Sequence, residues 1–328
     1  MNLLNAVVVA ALVLGLAGCG KDAPPVAQAP QPPPSNATAP DAAPPTPVVL
    51  ASIPAPAFLE NLVVTAAGEI LFTHYLGHSI ERIDAAGARS TFATLDVHPV
   101  SLLPLDGGYL VATHGQSFTD GPAFLGTGAL LFVDAAGAVT GSVAVPDAGF
   151  LNGMVALVDG TVLIADSAKA QILAFDPATR ATRVWFADAA LAPQAEPFRP
   201  GANGLKREGD AVIVSTSAGR SLHRLLLAAD GSAAGPLQPV ATDLPGADDF
   251  VVLPEGGYVV ATHGDRVVRV AADGTVATVT DDPRVRGNTA VALLGDGAAR
   301  RLVVLGTGGL SEGGREPGVV LNLPLARQ

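Results

Sequence analysis

Short apolar runs separated by turn residues fill the chain from Val48 onward. Each copy of the pattern begins with a polar or turn-forming residue, continues as an apolar run, and passes through a turn into a second apolar run. Short runs bounded by glycine and aspartate predict β-strands. The copies begin 39 to 53 residues apart, at the leading positions Glu60, Pro99, Asn152, Asn203, Asp248 and Asn288.

A second pair of strand-like runs follows in most copies, as from Ile80 to Gly87 and from Leu131 to Gly137. Four short strands in each repeat are typical of one blade of a β-propeller. The sequence therefore predicts an all-β fold, a six-bladed β-propeller. The sixth copy lacks one strand, which Pro47 to Ser52 could supply, so that the ring closes without an exposed edge. A β-sandwich is the alternative, although it gives no reason for six similar repeats.

The first residues follow another pattern, an uninterrupted apolar run from Ala6 to Leu16 that leads to Cys19. A transmembrane helix needs about 20 apolar residues, so this run predicts a cleaved signal peptide over residues 1–18. Leu16-Ala17-Gly18-Cys19 resembles the bacterial lipobox, which implies lipid attachment at Cys19. The segment Met1–Asn5 departs from such peptides because it contains no Lys or Arg. An ordinary signal peptide followed by a chance cysteine is the alternative.

Cys19 is the only cysteine, so it has no partner for an internal disulfide. We expect it to anchor the protein to a membrane of the cell envelope, and Gly20 weakly favours the outer membrane. Residues 19–47 contain ten of the 27 prolines, which predicts a disordered, extended tether between the anchor and the propeller of residues 48–328. At about 3.1 Å per residue the tether could reach about 80 Å.

Composition narrows the classes of partner. The chain has 19 basic and 30 acidic residues and a formal net charge of −11. Nucleic acid is therefore an unfavourable partner, whereas cations and neutral ligands are compatible with an acidic surface. We expect a monomer that takes a small neutral molecule.

The leading positions carry the candidate chemistry, because the innermost strands of a propeller bring them to one mouth of the central channel. Two carboxylates and two or three amide carbonyls offer only oxygen ligands, as Ca²⁺ prefers. Zn²⁺ would require histidines or thiolates. Asn-Gly and Asp-Asp are also ordinary turn formers, so spacing alone leaves a structural role open.

The ordered set of motifs around four of these positions resembles the SMP-30/gluconolactonase family of six-bladed propellers. The motifs are Leu59-Glu60-Asn61-Leu62, Leu151-Asn152-Gly153-Met154, Ala202-Asn203-Gly204-Leu205 and Ala247-Asp248-Asp249-Phe250. The resemblance extends over residues 50 to 325. It implies a divalent ion, usually Ca²⁺, held by Glu60, Asn152, Asn203 and Asp248, and hydrolysis of a lactone or ester. In that reaction Asp248 is the expected base, and Asp249 is the nearest spare carboxylate.

The resemblance fails where the substrate is recognised. Members that hydrolyse sugar lactones have an arginine two residues before the third-blade asparagine, and this chain has Phe150 there. The substitution favours a less polar lactone or ester. It also leaves open a non-catalytic propeller that binds a protein, peptide or glycan at the envelope.

Two further features have open interpretations. Histidines recur after the second strand of several blades, at His74, His114 and His263, and a repeated feature favours blade packing or turn formation. His98 does not repeat; it could face the channel mouth or be a hydrogen-bonded loop residue. The insertions 116–128 and 187–200 could form a wall or lid of the channel, or be surface loops.

Overall fold

The computed structural model describes residues 46–310 and 316–325, and these form six four-stranded antiparallel sheets. The predicted signal peptide, Cys19 and nearly all of the predicted tether lie outside the described residues. Within them, no helix is long and apolar enough to cross a membrane.

The strands agree with the repeats of the sequence. The first half of the chain contains β1 (Val48–Ile53), β2 (Leu59–Val64), β3 (Ile70–His74), β4 (Ser79–Ile83), β5 (Arg89–Thr94), β6 (His98–Leu105), β7 (Gly108–His114), β8 (Gly128–Asp134), β9 (Val139–Ala144), β10 (Leu151–Ala156), β11 (Val162–Asp166), β12 (Gln171–Asp176) and β13 (Ala181–Ala187). The second half contains β14 (Ala202–Glu208), β15 (Ala211–Thr216), β16 (Ser221–Leu227), β17 (Ala233–Ala241), β18 (Phe250–Val252), β19 (Tyr258–Ala261), β20 (Val267–Val270), β21 (Val276–Thr280), β22 (Asn288–Leu294), β23 (Arg301–Gly306) and β24 (Gly318–Pro324). Short 3₁₀ turns occur at Phe118–Asp120, Pro122–Phe124, Ala189–Leu191, Pro283–Val285 and Gly297–Ala299.

Six blades surround a central channel, as the sequence predicts. Blades one to five are β2–β5, β6–β9, β10–β13, β14–β17 and β18–β21, each paired in chain order from the innermost to the outermost strand. The sixth blade has the order β22, β23, β24, β1, so its outermost strand comes from the beginning of the domain. Val48 pairs with Asn322 and Ile53 with Gly318, which confirms that the two ends of the domain close the ring.

The core consists of wedges between adjacent blades. Each wedge is a cluster of eight to twelve buried residues, mostly Val, Leu, Ile and Ala, contributed by the facing sides of two sheets. Both faces of the inner strands are therefore buried, which explains their continuous apolar runs. The wedge between the sixth and first blades contains Ile53 of β1, Phe72 of β3 and Val320 of β24.

Aspartates stabilise several of the turns between outer strands. The Oδ1 atom of Asp84 accepts hydrogen bonds from the backbone N–H groups of Ala86 and Ala88 at 2.9 and 2.8 Å. Gly87 then takes a φ of +88°, which residues other than glycine rarely adopt. The same arrangement occurs at Asp134, so the repeated Asp-Ala-Ala-Gly sequences are hairpin turns.

Ring closure gives a testable consequence. Ile53→Ala should lower the free energy of unfolding by about 2–5 kcal/mol, because it leaves a cavity in the closing wedge. Ile53 is 3% exposed, whereas Val48 in the same strand is 50% exposed. Val48→Ala should therefore change stability by less than about 0.5 kcal/mol. Urea unfolding of both variants measures the difference, and equal losses would contradict the role of β1 in closure.

Candidate metal centre

A repeated backbone irregularity positions the leading residues. In β2, β10 and β14 the pairing with the second strand breaks directly after the first residue pair and resumes three residues later. Glu60, Asn152 and Asn203 are the first residues inside these breaks. Bulges of this kind redirect side chains out of the regular alternation of a strand. Asp248 and Asp249 hold the corresponding place just before β18, tied by backbone hydrogen bonds to Ala261 and Thr289.

Two glycines allow the innermost strands to approach each other here. A Cβ atom on Gly153 would lie 2.4 Å from the backbone oxygen of Asn203, and one on Gly204 would lie 2.6 Å from Asp249 Oδ1. Both distances are far below van der Waals contact. The Asn-Gly pairs of the third and fourth blades therefore serve close packing around the channel, in addition to presenting an asparagine.

The four predicted ligands are buried polar side chains at this mouth. Glu60 is 9% exposed, Asp248 is 5%, and Asn152 and Asn203 are 4% each. Burial, followed by the charges of Asp248 and Asp249, raises the pKa of Glu60 well above its usual value. These effects place Glu60 in the same electrostatic field as the two aspartates.

Serines fix the orientation of the two asparagine amides. Asn152 Nδ2 donates to Ser167 Oγ at 3.2 Å, and Ser167 Oγ donates to the carbonyl of Ala202 at 2.5 Å. Asn203 Nδ2 donates to Ser217 Oγ at 2.9 Å, and Ser217 Oγ donates to the carbonyl of Ala247 at 2.8 Å. Because each hydroxyl proton is used on a carbonyl, the serine accepts from the amide nitrogen. The carbonyl oxygen of each amide therefore points away from its serine.

The hydroxyl residues at or after the ends of the second strands connect adjacent blades through hydrogen bonds. Ser167 and Ser217 connect their blades to the next one, and Thr73 Oγ1 does so through the carbonyl of Val100 at 3.0 Å. The hydroxyl residues thus serve blade packing, as the sequence predicts for this repeated position. His263 differs, because its Nδ1 lies 3.1 Å from Asp248 Oδ2.

Burial of the Glu60 and Asp248 carboxyl groups costs free energy. Among residues 46–310 and 316–325, Glu60 Oε2 is buried without a hydrogen-bond partner. Burial also raises the pKa of Asp248, although hydrogen bonds from His263 and Asn203 and the charge of His263 oppose the rise. An unpartnered buried carboxylate oxygen is costly in a folded protein. A cation bound by Glu60 and Asp248 would remove this cost, so the donor set fits a divalent ion with oxygen preference.

The described part of the chain contains no group of three or more His, Cys, Asp or Glu side chains that could hold a metal ion by themselves. The predicted set includes only two such residues, Glu60 and Asp248, and depends on two amide carbonyls for its remaining oxygens.

The contacts of Asp249 do not match its prediction as a spare carboxylate. Its Oδ1 lies 2.5 Å from Lys206 Nζ, and its Oδ2 accepts a hydrogen bond from Asn61 Nδ2 at 3.0 Å. Oδ1 is therefore engaged in an ion pair and Oδ2 in a hydrogen bond, so both oxygens already have partners. Lys206 and the side chain of Asn61 have no role predicted from the sequence.

Aromatic residues cover one side of the mouth and are called the aromatic wall below. The wall comprises Phe58, Tyr75, Phe118, Phe124, Phe150 and Phe198. Phe118 and Phe124 come from the insertion 116–128 and Phe198 from the insertion 187–200, so both insertions do line the mouth. Phe150 stacks on Phe198 with ring centroids 6.1 Å apart, and Phe58 lies 6.0 Å from the ring of His263. The wall thus runs from the insertions to the carboxylates.

Histidines complete the wall. His98 is hydrogen-bonded through Nδ1 to the carbonyl of Tyr75 at 3.0 Å and stacks on that tyrosine ring at 4.7 Å. His114 is fully buried, with Nδ1 3.2 Å from the Tyr75 hydroxyl and its ring 4.4 Å from that of Phe150. Burial lowers the pKa of His114 to about 3 and raises that of Tyr75 to about 12, so both groups are neutral near pH 7.

Comparison with known proteins supports the fold. No protein-family profile and no curated sequence matches the chain. A gluconolactonase from Xanthomonas campestris superposes with a TM-score of 0.63 and 15% identity, over 85% of this chain and 89% of that one. The calcium-binding protein regucalcin from Agrobacterium tumefaciens gives 0.61 and 18%, over 84% and 92%. Virginiamycin B lyase from Staphylococcus aureus gives 0.53 and 12%, over 80% of each chain.

These similarities define the class of protein. The chain is a six-bladed β-propeller with the SMP-30/gluconolactonase-like fold, which confirms at the level of the fold the resemblance seen in its motifs. At identities below 20% the similarity concerns architecture, because one propeller fold supports hydrolases, lyases and binding proteins.

The buried histidine of the wall predicts a pH dependence of stability. The unfolded state binds a proton on His114 near pH 6.5, whereas the folded state resists protonation down to about pH 3. Stability from this group is therefore complete above pH 6.5 and declines by about 1.4 kcal/mol per pH unit below it. His114→Phe should remove this component in urea unfolding between pH 7 and 5. His78→Gln, at a more exposed site, should retain it; identical slopes in the wild type and His114→Phe would refute the assignment.

Proposed function

We propose that the protein is a divalent-cation-dependent hydrolase of apolar lactones or esters. The buried and unpartnered Oε2 of Glu60, in the same field as Asp248, carries this proposal. A propeller that only binds a partner on its surface has no need for a buried, unpartnered carboxylate oxygen at its channel mouth. The non-catalytic alternative is therefore less favoured.

The residues that would hold the ion are Glu60, Asn152, Asn203 and Asp248, and Ca²⁺ is the ion that best suits this set of oxygens. When bound, it would supply Lewis-acid polarisation of a substrate carbonyl. Regucalcin, one of the structurally similar proteins, is described as calcium-binding, which supports the choice of ion.

His263 and Asp248 form the part of the site that can manage protons. The imidazole is oriented by its Nδ1 contact with Asp248 Oδ2, and about a third of the histidine side chain is exposed. We place the uptake of a proton from an attacking water at this pair, with the carboxylate at Oδ2 stabilising the charge that develops on the ring. Asp249 takes no part, because its oxygens are bound by Lys206 and Asn61.

The aromatic wall supports an apolar substrate. Phe150 is 8% exposed and is held against Phe124 and Phe198, the last of which is 39% exposed. Such a surface binds an aliphatic or aromatic group through area burial and ring contacts, and it offers no charged partner to a sugar acid. Within the proposal, the protein acts as a monomer at the cell envelope, anchored through lipidated Cys19.

Removal of the ion tests the first part of the proposal. Saturating Ca²⁺ should raise the melting temperature of the purified protein by about 5 °C relative to chelator, because an ion that binds only the folded state stabilises it. Glu60→Gln should abolish the difference. Glu255→Gln, at a surface ion pair with Arg300, is the matched control and should retain it. No shift in the wild-type protein would exclude the cation site.

Substrate preference tests the second part. Phenyl esters and alkyl-substituted lactones should be hydrolysed faster than gluconolactone, and Phe198→Ala should raise KM for phenyl esters by about tenfold through loss of ring contact. The calcium-dependent melting shift should persist in this variant. Val184→Ala, which removes a side chain 53% exposed on an outer strand, is the control. Faster turnover of the sugar lactone would contradict the role of the wall.

A further inference from the structure

Lys206 places a positive charge beside one of the buried carboxylates at the channel mouth. Its Nζ atom lies 2.5 Å from Asp249 Oδ1 and 5.6 Å from the ring centre of Phe250. The lysine side chain is 29% exposed and that of Asp249 only 7%. The pair is therefore largely shielded from water, unlike an ordinary surface salt bridge.

The position of Lys206 is apolar in comparable blades. It lies three residues after the leading Asn203, where the other blades with a matching motif have Val63, Val155 and Val251. A lysine among valines on an innermost strand needs a specific electrostatic partner. Asp249 is that partner, and the missing side chain of Gly204 leaves room for it, since a Cβ there would lie 2.6 Å from Asp249 Oδ1.

The charges of the site show what the pair does. The mouth contains three buried carboxylates, Glu60, Asp248 and Asp249, and the two aspartates both act on Glu60. Lys206 offsets one negative charge. Two negative charges remain, which match one divalent ion. Without Lys206 the site would carry three negative charges. Such a site would suit a trivalent ion, or it would bind a divalent ion more tightly and release it more slowly.

We infer that Lys206 is an internal counter-ion that keeps Asp249 out of the ligand set and fixes the charge selectivity of the cation site. The inference rests on the proposed function, because it assumes an ion held by Glu60 and Asp248. Asn61 contributes by donating to the second oxygen of Asp249 at 3.0 Å, so hydrogen bonds to both oxygens fix the orientation of the carboxylate. Lys206 is thus a positioning residue for the site.

A structural tie between blades is the competing explanation. Asp249 also connects the fifth blade to Asn61 of the first, and the Lys206 contact connects the fourth blade to the fifth. A purely structural lysine would affect melting temperature and leave the affinity and selectivity for ions unchanged. Charge control changes the affinity in a direction opposite to that expected from general damage.

Calorimetric titration of the purified protein with CaCl₂ and with TbCl₃ distinguishes charge control from a purely structural role of Lys206. Lys206→Met should bind Ca²⁺ about tenfold more tightly than the wild type and should gain more for Tb³⁺, because Asp249 becomes an uncompensated charge near the ion. Lys206→Gln gives a second neutral side chain that still donates to Asp249, in case the methionine variant fails to fold. The double variant Lys206→Met/Asp249→Asn restores two negative charges and should return both affinities to wild-type values.

The outcomes are distinguishable. Unchanged or weaker binding in both neutral variants, with a lowered melting temperature, would overturn the inference and leave a structural lysine. Tighter binding that persists in the double variant would also overturn it, since charge would not be the cause. If the wild-type protein binds neither ion, the proposed function and this inference are both overturned, because they share the same cation site.

Discussion

The antiparallel pairing of β1 with β24 is the interaction on which the rest of the structure depends. It joins the beginning of the domain to its end, and it completes the wedge that contains Ile53, Phe72 and Val320. With the ring closed, the six innermost strands surround one channel. Residues as distant in sequence as Glu60 and Asp248 then share an electrostatic field, although no local structure connects them.

Polar burial at the mouth opposes the stability that the wedges provide. The apolar wedges contribute favourable burial on both faces of the inner strands, whereas Glu60, Asp248 and Asp249 bring charge into the same region. The chain satisfies some of that demand internally, with Lys206 and Asn61 on Asp249 and His263 on Asp248. Glu60 Oε2 has no such partner in the described residues, so the electrostatics of the site are incomplete at this carboxylate.

Sequence analysis predicted the fold well because the repeat itself encodes the blades. The spacing of the leading positions, the Asp-Ala-Ala-Gly turns and the strand missing from the sixth copy all have direct counterparts in the structure. The location of the leading residues could be predicted for the same reason, because equivalent positions in a ring of blades must gather at one end. Their role as metal ligands stays a prediction.

Lys206 and His263 were missed for physical reasons. The bulge at Asn203 and Gly204 breaks the alternation of β14, so the facing direction of Lys206 does not follow from a period of two. Its one sequence signal is that valine fills the equivalent place in other blades. His263 belongs to a repeated motif, and repetition conceals that only this histidine contacts an aspartate at a leading position. The contacts of Asp249 with Lys206 and Asn61 could not be predicted, because a single sequence does not reveal which residues become neighbours.

Closure of the ring by the two ends of the domain also constrains how the protein folds. Blades one to five each consist of consecutive strands, so they can form as soon as their own segment is available. The pairing of Val48 with Asn322 instead joins residues at opposite ends of the domain. Contacts of such large sequence separation carry a high loop-closure entropy and form slowly. Until the last strand has been synthesised, β24 is unavailable and the edge of β1 has no native partner. During that interval the backbone groups along this edge of β1 are unpaired, and they could pair with a non-native strand instead.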